Sequence, residues 1–407
     1  MSAPWRGIGA TLASEAIGRG AAVGFQLVVA NQLGADRYGL VALALASAAL
    51  LSPLADGGFP NLALRLVSED PHDPARVARI WKLKLLALPL FLLPLLLWCA
   101  KIGIGGGDWR VLLWAGAFYG FQAASDLLRQ VLRARHQIRG EIAARLAYPA
   151  GNLLAVAVAW RFHPGPAGAL CALAFGPASL TASYFLVAKP SRPRVDASEV
   201  FALARSAYPA LAQSVGYLIL VGLATRVEAF VLERCAGRAE VGRYFAALNL
   251  VMAGSFFAQG LSSYLYPRLH RQASHRGRAL ARAAGIQGAL GLSLWAGAAL
   301  VGPIVFHLVY RTRSFEGIDA LLPGLGLVLC LSCLDWLWLS VLVGADKIWI
   351  AALNLVPVLA AKLLLAPLLI PSMGARGMVL ASVVGQAGTC LLGAWAAARA
   401  YLAEPVP

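Results

Sequence analysis

Charged residues are scarce in this sequence, since only 13% of its 407 residues are Asp, Glu, Lys or Arg. A typical soluble domain has about 25%. Acidic residues are the scarcer sign, with 19 Asp and Glu against 35 Lys and Arg. No polar stretch is long enough to fold as a soluble domain of useful size. These absences exclude an ordinary water-soluble protein and functions that need a large soluble domain.

Motifs of enzymes and metal sites are also missing. Most of the six cysteines lie in apolar runs, and the pair Cys330 and Cys333 has no second ligand pair nearby. We therefore expect buried thiols rather than zinc or redox chemistry. The sequence has no Gly-x-Ser-x-Gly motif, no His/Asp/Glu cluster and no phosphate-binding glycine loop. It predicts a protein that is not an enzyme and that has no cofactor.

Apolar residues are abundant, at 59% of the chain with a mean hydropathy of +0.70. Runs of about 20 apolar residues recur along the whole length, and each is long enough to cross the hydrocarbon core of a membrane. The first run is predicted to be a retained helix rather than a signal peptide. Twelve membrane spans are predicted, at residues 8–31, 38–63, 81–102, 109–131, 139–160, 166–188, 201–225, 243–266, 283–309, 320–343, 348–371 and 375–400.

The net charge of +16 is a topology signal rather than a sign of nucleic-acid binding. With twelve spans, the face shared by both termini receives 20 Lys and Arg residues and the other face 11. Positive residues stay on the cytoplasmic side, so both termini are predicted to be cytoplasmic. Anionic membrane lipids are the expected partners of this basic face.

The chain repeats itself once. In the early part of each half, residues that are 203 positions apart are alike. In the later part, the residues that are alike are 209 positions apart. The matching pairs include Gly34 with Gly237, Gly39 with Gly242, Arg65 with Arg268, Asp126 with Asp335, Gly165 with Gly374 and Gly168 with Gly377. Because each half holds six spans, both halves cross the membrane in the same sense, and the repeat is parallel.

This repeat predicts the domain organisation. The fold class is an all-α polytopic membrane protein with about 12 helices in two parallel-related six-helix bundles around a central cavity. The predicted divisions are a bundle at residues 1–190, a cytoplasmic linker at 191–200 and a second bundle at 201–407. Two bundles that rock about a midplane site are typical of secondary transporters.

Three stretches resemble a known family. "NQLGADRYGLVALALA", "AGRAEVGRYFAALNLVMAGSFFAQGLSSYLYPRLHR" and "GADKIWIAALNLVPVLAAKLLLAPLLIPSMGARGMVLASVVGQ" are similar to helices of polysaccharide flippases. These are the Wzx-type members of the multidrug/oligosaccharidyl-lipid/polysaccharide exporter superfamily. The resemblance covers most of the chain, and its motifs specify the fold better than the substrate.

The resemblance implies a flippase that moves an undecaprenyl-pyrophosphate-linked oligosaccharide across the bacterial inner membrane. The implied mechanism is alternating access, coupled to H⁺ or Na⁺. A cation-coupled multidrug exporter of the same fold is the main alternative, and a membrane glycan polymerase or ligase is a third. The expected partners are the lipid-linked oligosaccharide and a glycan polymerase or glycosyltransferase, with no nucleic acid. A monomer is expected.

Glu15 and Arg19 are charged residues inside the first apolar run, four residues apart on one helix face. One interpretation is a neutralised pair that fixes the first helix against its neighbours. The other is that Arg19 binds an anionic head group, while Glu15 holds it or carries the coupling cation. At an offset of 203 the pair falls on Leu218 and Gly222, so the shared scaffold does not require it.

The other cations within spans are Arg145, Arg205 and Lys362. Arg offers a planar fork of donors to a pyrophosphate, so these residues are candidate contacts for the head group. Snorkelling to lipid phosphates is the alternative. Gln213 and Asn152 are candidate contacts for sugar hydroxyls, although hydrogen bonds between helices explain them equally well.

The carboxylates Asp56, Asp126 and Asp335 are, with Glu15, the candidates for the coupling ion. Asp56 also precedes "GGFP", where it can cap a break in the second span. Asp126 and Asp335 are repeat mates and can share a structural role. Arg65 and Arg268 end the second and eighth spans at equivalent positions, so they are interpreted as interface anchors first and gate residues second.

Overall fold

A computed structural model of the chain describes the backbone of residues 3–71, 73–104, 107–162, 165–188, 196–271, 276–310, 313–345 and 347–403. Within these ranges it describes the side chains of all residues except 3–19, 138, 156, 159–160, 162, 263–264, 266–271, 276, 344 and 402–403.

The described part of the chain is helical, without a β-strand. Apolar runs favour helices in a membrane because a helix satisfies its backbone hydrogen bonds within the segment. The helices are α1 (Ala3–Asp56), α2 (Phe59–Glu69), α3 (Pro74–Ile104), α4 (Trp109–Ala134), α5 (Ile138–Arg145), α6 (Ala147–Phe162), α7 (Pro166–Ala188), α8 (Ala197–Ala236), α9 (Arg238–Met252), α10 (Ser255–Arg271), α11 (Arg276–Leu300), α12 (Gly302–Val309), α13 (Leu322–Gly344), α14 (Ile348–Leu353), α15 (Val356–Ala360), α16 (Ala366–Met373) and α17 (Ala375–Ala403). Short 3₁₀ turns span Arg313–Phe315 and Ile318–Leu321, and a π-helical turn spans Ala361–Leu365.

These helices fall into twelve consecutive segments in the described part, in the order that the apolar runs predict. α1 holds the first segment and most of the second, because Gly34 breaks it with φ 71° and ψ 172°. The segments that contain more than one helix are the second (the end of α1 with α2), fifth (α5, α6), eighth (α9, α10), ninth (α11, α12) and eleventh (α14, α15, α16). Eight helices of the described part are long and apolar enough to cross a membrane, or nine if the bent pair α9 and α10 counts as one span. The predicted all-α polytopic membrane fold is confirmed.

The chain divides into two compact units. The first unit consists of Met1–Val29 and Leu43–Gly222, and the second of Ala30–Ala42 and Leu223–Pro407. These units differ from the predicted bundles in two places. Residues 30–42 group with the second unit and residues 201–222 with the first, whereas the predicted boundary lay at residues 191–200.

The repeat is visible in the backbone. Gly34 and its mate Gly237 adopt nearly the same conformation, with φ 71° and ψ 172° in one and φ 87° and ψ 173° in the other. A positive φ is easily reached by glycine and rarely by other residues. The same kind of residue therefore separates the first segment from the second and the seventh from the eighth.

A glycine crossing within the second unit follows the same symmetry. A Cβ atom at Gly39 would collide with the carbonyl oxygen of Arg238, and one at Gly242 with the carbonyl oxygen of Ala35. Ala35 and Arg238 are themselves at an offset of 203. The two backbone segments approach closely here because neither glycine has a side chain.

The core of the first unit positions a buried lysine. Apolar side chains of α2, α3, α4 and the start of α8 pack together, and they include Phe59, Leu62, Ile80, Leu83, Leu127 and Val200. Lys84 follows Leu83 in α3 and is itself only 7% exposed. A charged side chain in such a core must find polar partners.

Candidate functional site: buried charge in the two units

Lys84 finds its partners at the break in the second segment. Its Nζ donates hydrogen bonds to the carbonyl oxygens of Ala55 and Ala123, both at 3.1 Å. It also lies 5.6 Å from the centroid of the Phe59 ring. α1 ends at Asp56, so the Ala55 carbonyl belongs to a last helical turn, where carbonyls lack an intrahelical donor. The break thus supplies an acceptor for the buried ammonium group.

Asp56 caps the same break. Its Oδ2 accepts a hydrogen bond from the backbone N–H of Gly58 at 3.1 Å. Lys84, Asp126 and Arg129 all act electrostatically on this carboxylate. The structure therefore brings together two of the predicted coupling carboxylates, Asp56 and Asp126, with Lys84 between α1 and α4.

Asp126 is held on its own helix, α4. Its Oδ1 pairs with Arg129 Nη2 at 2.8 Å, and its Oδ2 accepts from Gln122 Nε2 at 3.3 Å. Both members of the ion pair are 27% exposed. Asp126 thus has a cationic partner one turn away along the helix.

Arg145 lies in a group of three charges at α4 and α5, in which Arg145 and Glu141 are buried and the Arg133 side chain is 37% exposed. Glu141, whose side chain is 5% exposed, accepts from Arg133 Nη2 at 2.8 Å and from Arg145 Nη2 at 3.3 Å. Arg133 Nε contacts both carboxylate oxygens at 3.0 Å. Arg145 was predicted to contact substrate from the cytoplasmic side, and the structure places it beside a carboxylate with its side chain 7% exposed.

Lys362 lies in a group of buried residues in the second unit. Its Nζ is 2.6 Å from Glu228 Oε2 and donates to the carbonyl oxygen of Ala224 at 2.7 Å. Tyr244 donates its hydroxyl hydrogen to the same Glu228 oxygen at 3.1 Å. Lys362 lies on the π-helical turn Ala361–Leu365. The predicted head-group cation is thus already paired with a carboxylate.

Asp335 has a neutral partner in the second unit. Gln386 donates a hydrogen bond to its Oδ2. Its Oδ1 is buried and has no hydrogen-bond partner among the described residues. Asp335 therefore differs from its mate Asp126, which has Arg129.

Gln287 is a further buried polar residue of the second unit. It is fully buried, and its Nε2 donates to the carbonyl oxygen of Ala258 at 2.9 Å and to Ser262 Oγ at 3.0 Å. Gln287 and Ala258 lie at an offset of 203 from Lys84 and Ala55. The same backbone contact is therefore made twice, once by a lysine and once by a glutamine.

The remaining predicted residues are scattered. Arg65 and Arg205 are exposed, and Gln213 is half-buried. Asn152 is fully buried against Gly176, and its amide makes no hydrogen bond within the described residues. The predictions on Glu15, Arg19 and Arg268 concern side chains outside the described part.

Three residues with buried charge were missed by the sequence reasoning: Lys84, Glu141 and Glu228. Lys84 was counted with the cations of the cytoplasmic face because it lies only three residues inside the predicted start of the third span at 81. Glu141 precedes Arg145 by four residues, the same favourable order as Glu15 and Arg19, and that spacing could have revealed it. For Glu228 no local signal exists, because its partner Lys362 is 134 residues away.

These groups define what the two units can do chemically. Asp335, which is partly buried and has no adjacent cation among the described residues, can take up a proton or a monovalent cation, since a charge removed from water without a partner is costly. Carboxylates that already contact a guanidinium or ammonium group, such as Glu141 and Glu228, are neutralised within the protein. The structure therefore separates two kinds of buried acid.

Comparison with solved structures shows a transporter fold over nearly the whole chain. An inward-facing multidrug resistance MATE family transporter of the MOP superfamily matches with a TM-score of 0.70 at 15% identity, with 96% of each chain covered. An outward-facing conformation of such a transporter matches with a TM-score of 0.64 at 16% identity, covering 97% of this chain and 95% of that chain. A MOP superfamily transporter from Pyrococcus furiosus matches with a TM-score of 0.64 at 15% identity, covering 97% and 96%.

Sequence comparison identifies the family. The sequence matched none of the curated proteins with which it was compared. Residues 4–272, roughly two thirds of the chain, match a family described as polysaccharide biosynthesis protein. A match of this extent includes all of the first repeat and the start of the second. The chain therefore belongs to the polysaccharide biosynthesis protein family.

Proposed function

We propose that the protein is a flippase that moves an undecaprenyl-pyrophosphate-linked oligosaccharide from the cytoplasmic to the periplasmic leaflet. The observation that carries this proposal is the match to a polysaccharide biosynthesis family in a chain with the fold of MATE family transporters. A polysaccharide family supplies the substrate class, and a transporter fold supplies the movement. Alternating access by two bundles about a central cavity is the proposed mechanism.

The head group of the substrate needs cations that are not already neutralised. Arg145 and Lys362 contact Glu141 and Glu228, so much of their charge is compensated within the protein. Arg205 is exposed, and Arg19 is the residue that we propose as the main pyrophosphate contact. Gln213 and Asn152 stay the proposed sugar contacts.

Coupling to H⁺ or Na⁺ is proposed to act through Asp56 and Asp335. Each accepts a hydrogen bond from a neutral group, the Gly58 N–H for Asp56 and the Gln386 amide for Asp335. Asp126 is a weaker candidate because Arg129 lies at 2.8 Å. The proposed coupling residues are therefore Asp56 and Asp335, the two carboxylates that have no arginine partner on their own helix among the described residues.

The proposed setting follows from the charge distribution. We propose that the protein lies in the bacterial inner membrane with both termini cytoplasmic, as the excess of Lys and Arg on one face indicates. Its proposed partners are anionic lipids at that face and a glycan polymerase or glycosyltransferase that uses the same substrate. A monomer is proposed as the working form.

The test is transport in proteoliposomes that contain a fluorescent undecaprenyl-pyrophosphate oligosaccharide. Wild type, Arg19→Ala and Arg19→Lys are compared, with the exposed Arg110→Ala as the matched control. We expect wild type and Arg110→Ala to move the lipid, Arg19→Ala to lose most of the activity and Arg19→Lys to keep part of it. Arg offers a bidentate fork that Lys lacks.

Two outcomes would overturn parts of the proposal. If wild type moves no lipid but exports a cationic dye, the protein is a multidrug exporter and the flippase proposal fails. If wild type moves the lipid and folded Arg19→Ala does so equally well, Arg19 is structural. Liposomes without protein give the background rate of lipid movement.

A further inference from the structure

The group around Lys362 is the most deeply buried ion pair of the second unit among the described residues. The side chains of Lys362 and Glu228 are 8% and 4% exposed. A carboxylate in such a place needs a compensating charge, because an uncompensated buried charge is strongly destabilising. Here the compensation comes from within the chain.

The scaffold of the repeat does not require this group. At the offsets of the repeat, Glu228 corresponds to Phe25, Tyr244 to Val41 and Lys362 to Leu153. All three counterparts are apolar, and Phe25 and Val41 are buried. The polar group is therefore present in the second half and not at the equivalent positions of the first.

Helix geometry at Lys362 differs from that at its counterpart in the first half. Leu153 lies in the regular helix α6, and 64% of the whole residue is exposed. For Lys362 the exposed fraction of the whole residue is 6%. Lys362 is the second residue of the π-helical turn Ala361–Leu365. A π turn widens the helix locally and re-aims the side chains that follow, and such turns are frequent at functional sites.

The partners of the ammonium group are the oxygen ligands that small cations prefer. The group contacts a carboxylate oxygen at 2.6 Å and a backbone carbonyl oxygen at 2.7 Å. Tyr244 donates a hydrogen bond to the same carboxylate and so fixes its orientation. Carboxylate and carbonyl oxygens bind hard cations in proteins.

We propose that Glu228, the Ala224 carbonyl and Tyr244 form a binding site for a monovalent cation, and that the ammonium group of Lys362 is the cation that occupies it. The site then takes no cation from solution in the wild-type protein. Removal of the lysine side chain opens it to a free alkylammonium ion or to Na⁺. This proposal does not depend on the transported substrate.

The experiment measures the thermal unfolding midpoint of the purified full-length chain in detergent. Lys362→Ala is tested in the chlorides of propylammonium, sodium and choline, with propanol as the neutral probe. We expect a midpoint lower than that of wild type by about 5 °C or more. Propylammonium should restore at least half of the loss, because ligand binding to the folded state stabilises it. Choline has no N–H donor and should restore nothing.

Two control variants make the result specific. The double variant Glu228→Gln/Lys362→Ala has no buried charge left to compensate, so propylammonium should not change its midpoint. Lys347→Ala removes an exposed lysine of the same unit and should show no response to any of the four probes. A rescue by Na⁺ as well as by propylammonium identifies a general monovalent site, and a rescue by propylammonium alone identifies an ammonium site.

The proposal is overturned if no cation raises the midpoint of Lys362→Ala, since the pair is then a plain structural bridge. It is also overturned if the double variant responds equally. If Lys362→Ala is too unstable to purify, its yield is compared after extraction in propylammonium and in propanol. The proposal is contradicted in the same way if propylammonium does not raise the yield of Lys362→Ala while the double variant can be purified.

Discussion

The two halves of the repeat make the same backbone contact with different chemistry. In the first unit Lys84 donates to the carbonyl of Ala55, and in the second Gln287 donates to the carbonyl of Ala258. The donors and the acceptors are both repeat mates. Helix geometry has therefore been kept while the charge at the donor has changed.

The residue next to each of these carbonyls also differs between the halves. Asp56, which lies near Lys84, corresponds to Gln259. The first unit thus has an acid and an amine where the second has two amides. Conversely, the second unit has Glu228 and Lys362 where the first has Phe25 and Leu153. The comparison shows that the two halves share their helix arrangement, whereas each half has its own set of buried charged residues.

The largest expected effect on stability comes from giving Gln287 or Lys84 the side chain that its repeat mate has. Gln287→Lys puts an ammonium group beside a carbonyl and a hydroxyl, neither of which compensates its charge. We expect a loss of about 3 kcal/mol in the free energy of unfolding. Lys84→Gln keeps an amide donor for the same carbonyls and should cost about 1 kcal/mol. Unfolding of the purified variants gives both values.

The control for this pair is Lys82→Gln, which changes an exposed lysine two residues before Lys84. It should leave the free energy of unfolding unchanged within about 0.5 kcal/mol. A loss of less than about 0.5 kcal/mol in Gln287→Lys would mean that the second half tolerates charge at this contact as the first half does. The distinction between a charged and a neutral half would then be wrong.

The glycine crossing tests the part of the comparison in which the halves agree. Gly39→Ala and Gly242→Ala each place a methyl group against a backbone carbonyl oxygen, of Arg238 and of Ala35. Because backbone has to shift, we expect each to cost about 1–3 kcal/mol, and the two costs should be similar. Thermal unfolding checks both.

Gly285→Ala and Gly297→Ala are matched controls in α11, since nothing lies within 4 Å of an added Cβ at either position. They should be neutral or stabilising by about 0.5–1 kcal/mol, as helical alanine usually is relative to glycine. A cost at Gly39 with none at Gly242 would show that the crossing is not symmetric.

Much of the fold was predictable because its signals are local. Apolar runs of spanning length mark the twelve segments, and paired glycines mark the breaks at Gly34 and Gly237, where φ is positive. The offset between the halves was readable because similar short motifs occur once in each half. Each run or motif by itself consists of residues that are near one another in the chain.

The buried charges were not predictable in the same way. Helical spacing shows which residues share a face, but it does not show which helix that face meets. Lys84 contacts carbonyls 29 and 39 residues away, and Lys362 contacts a carbonyl 138 residues away. The π turn on which Lys362 lies was not predicted from the apolar run around it. As a result Lys362 was interpreted as an open cation, although it lies beside Glu228. Arg145 differs, because its partner Glu141 lies only four residues earlier and the spacing of the pair was a local signal.

The smallest expected effect separates the repeat mates Asp126 and Asp335. Asp126→Asn loses the partly exposed pair with Arg129 and should cost up to about 1 kcal/mol. Asp335→Asn removes a carboxylate whose partner is the Gln386 amide. Because no buried charge remains to be compensated, stability should be unchanged or higher by about 1 kcal/mol. If unfolding measurements instead show a larger loss for Asp335→Asn, a cation compensates Asp335 in the folded protein, and the contrast between the two mates disappears.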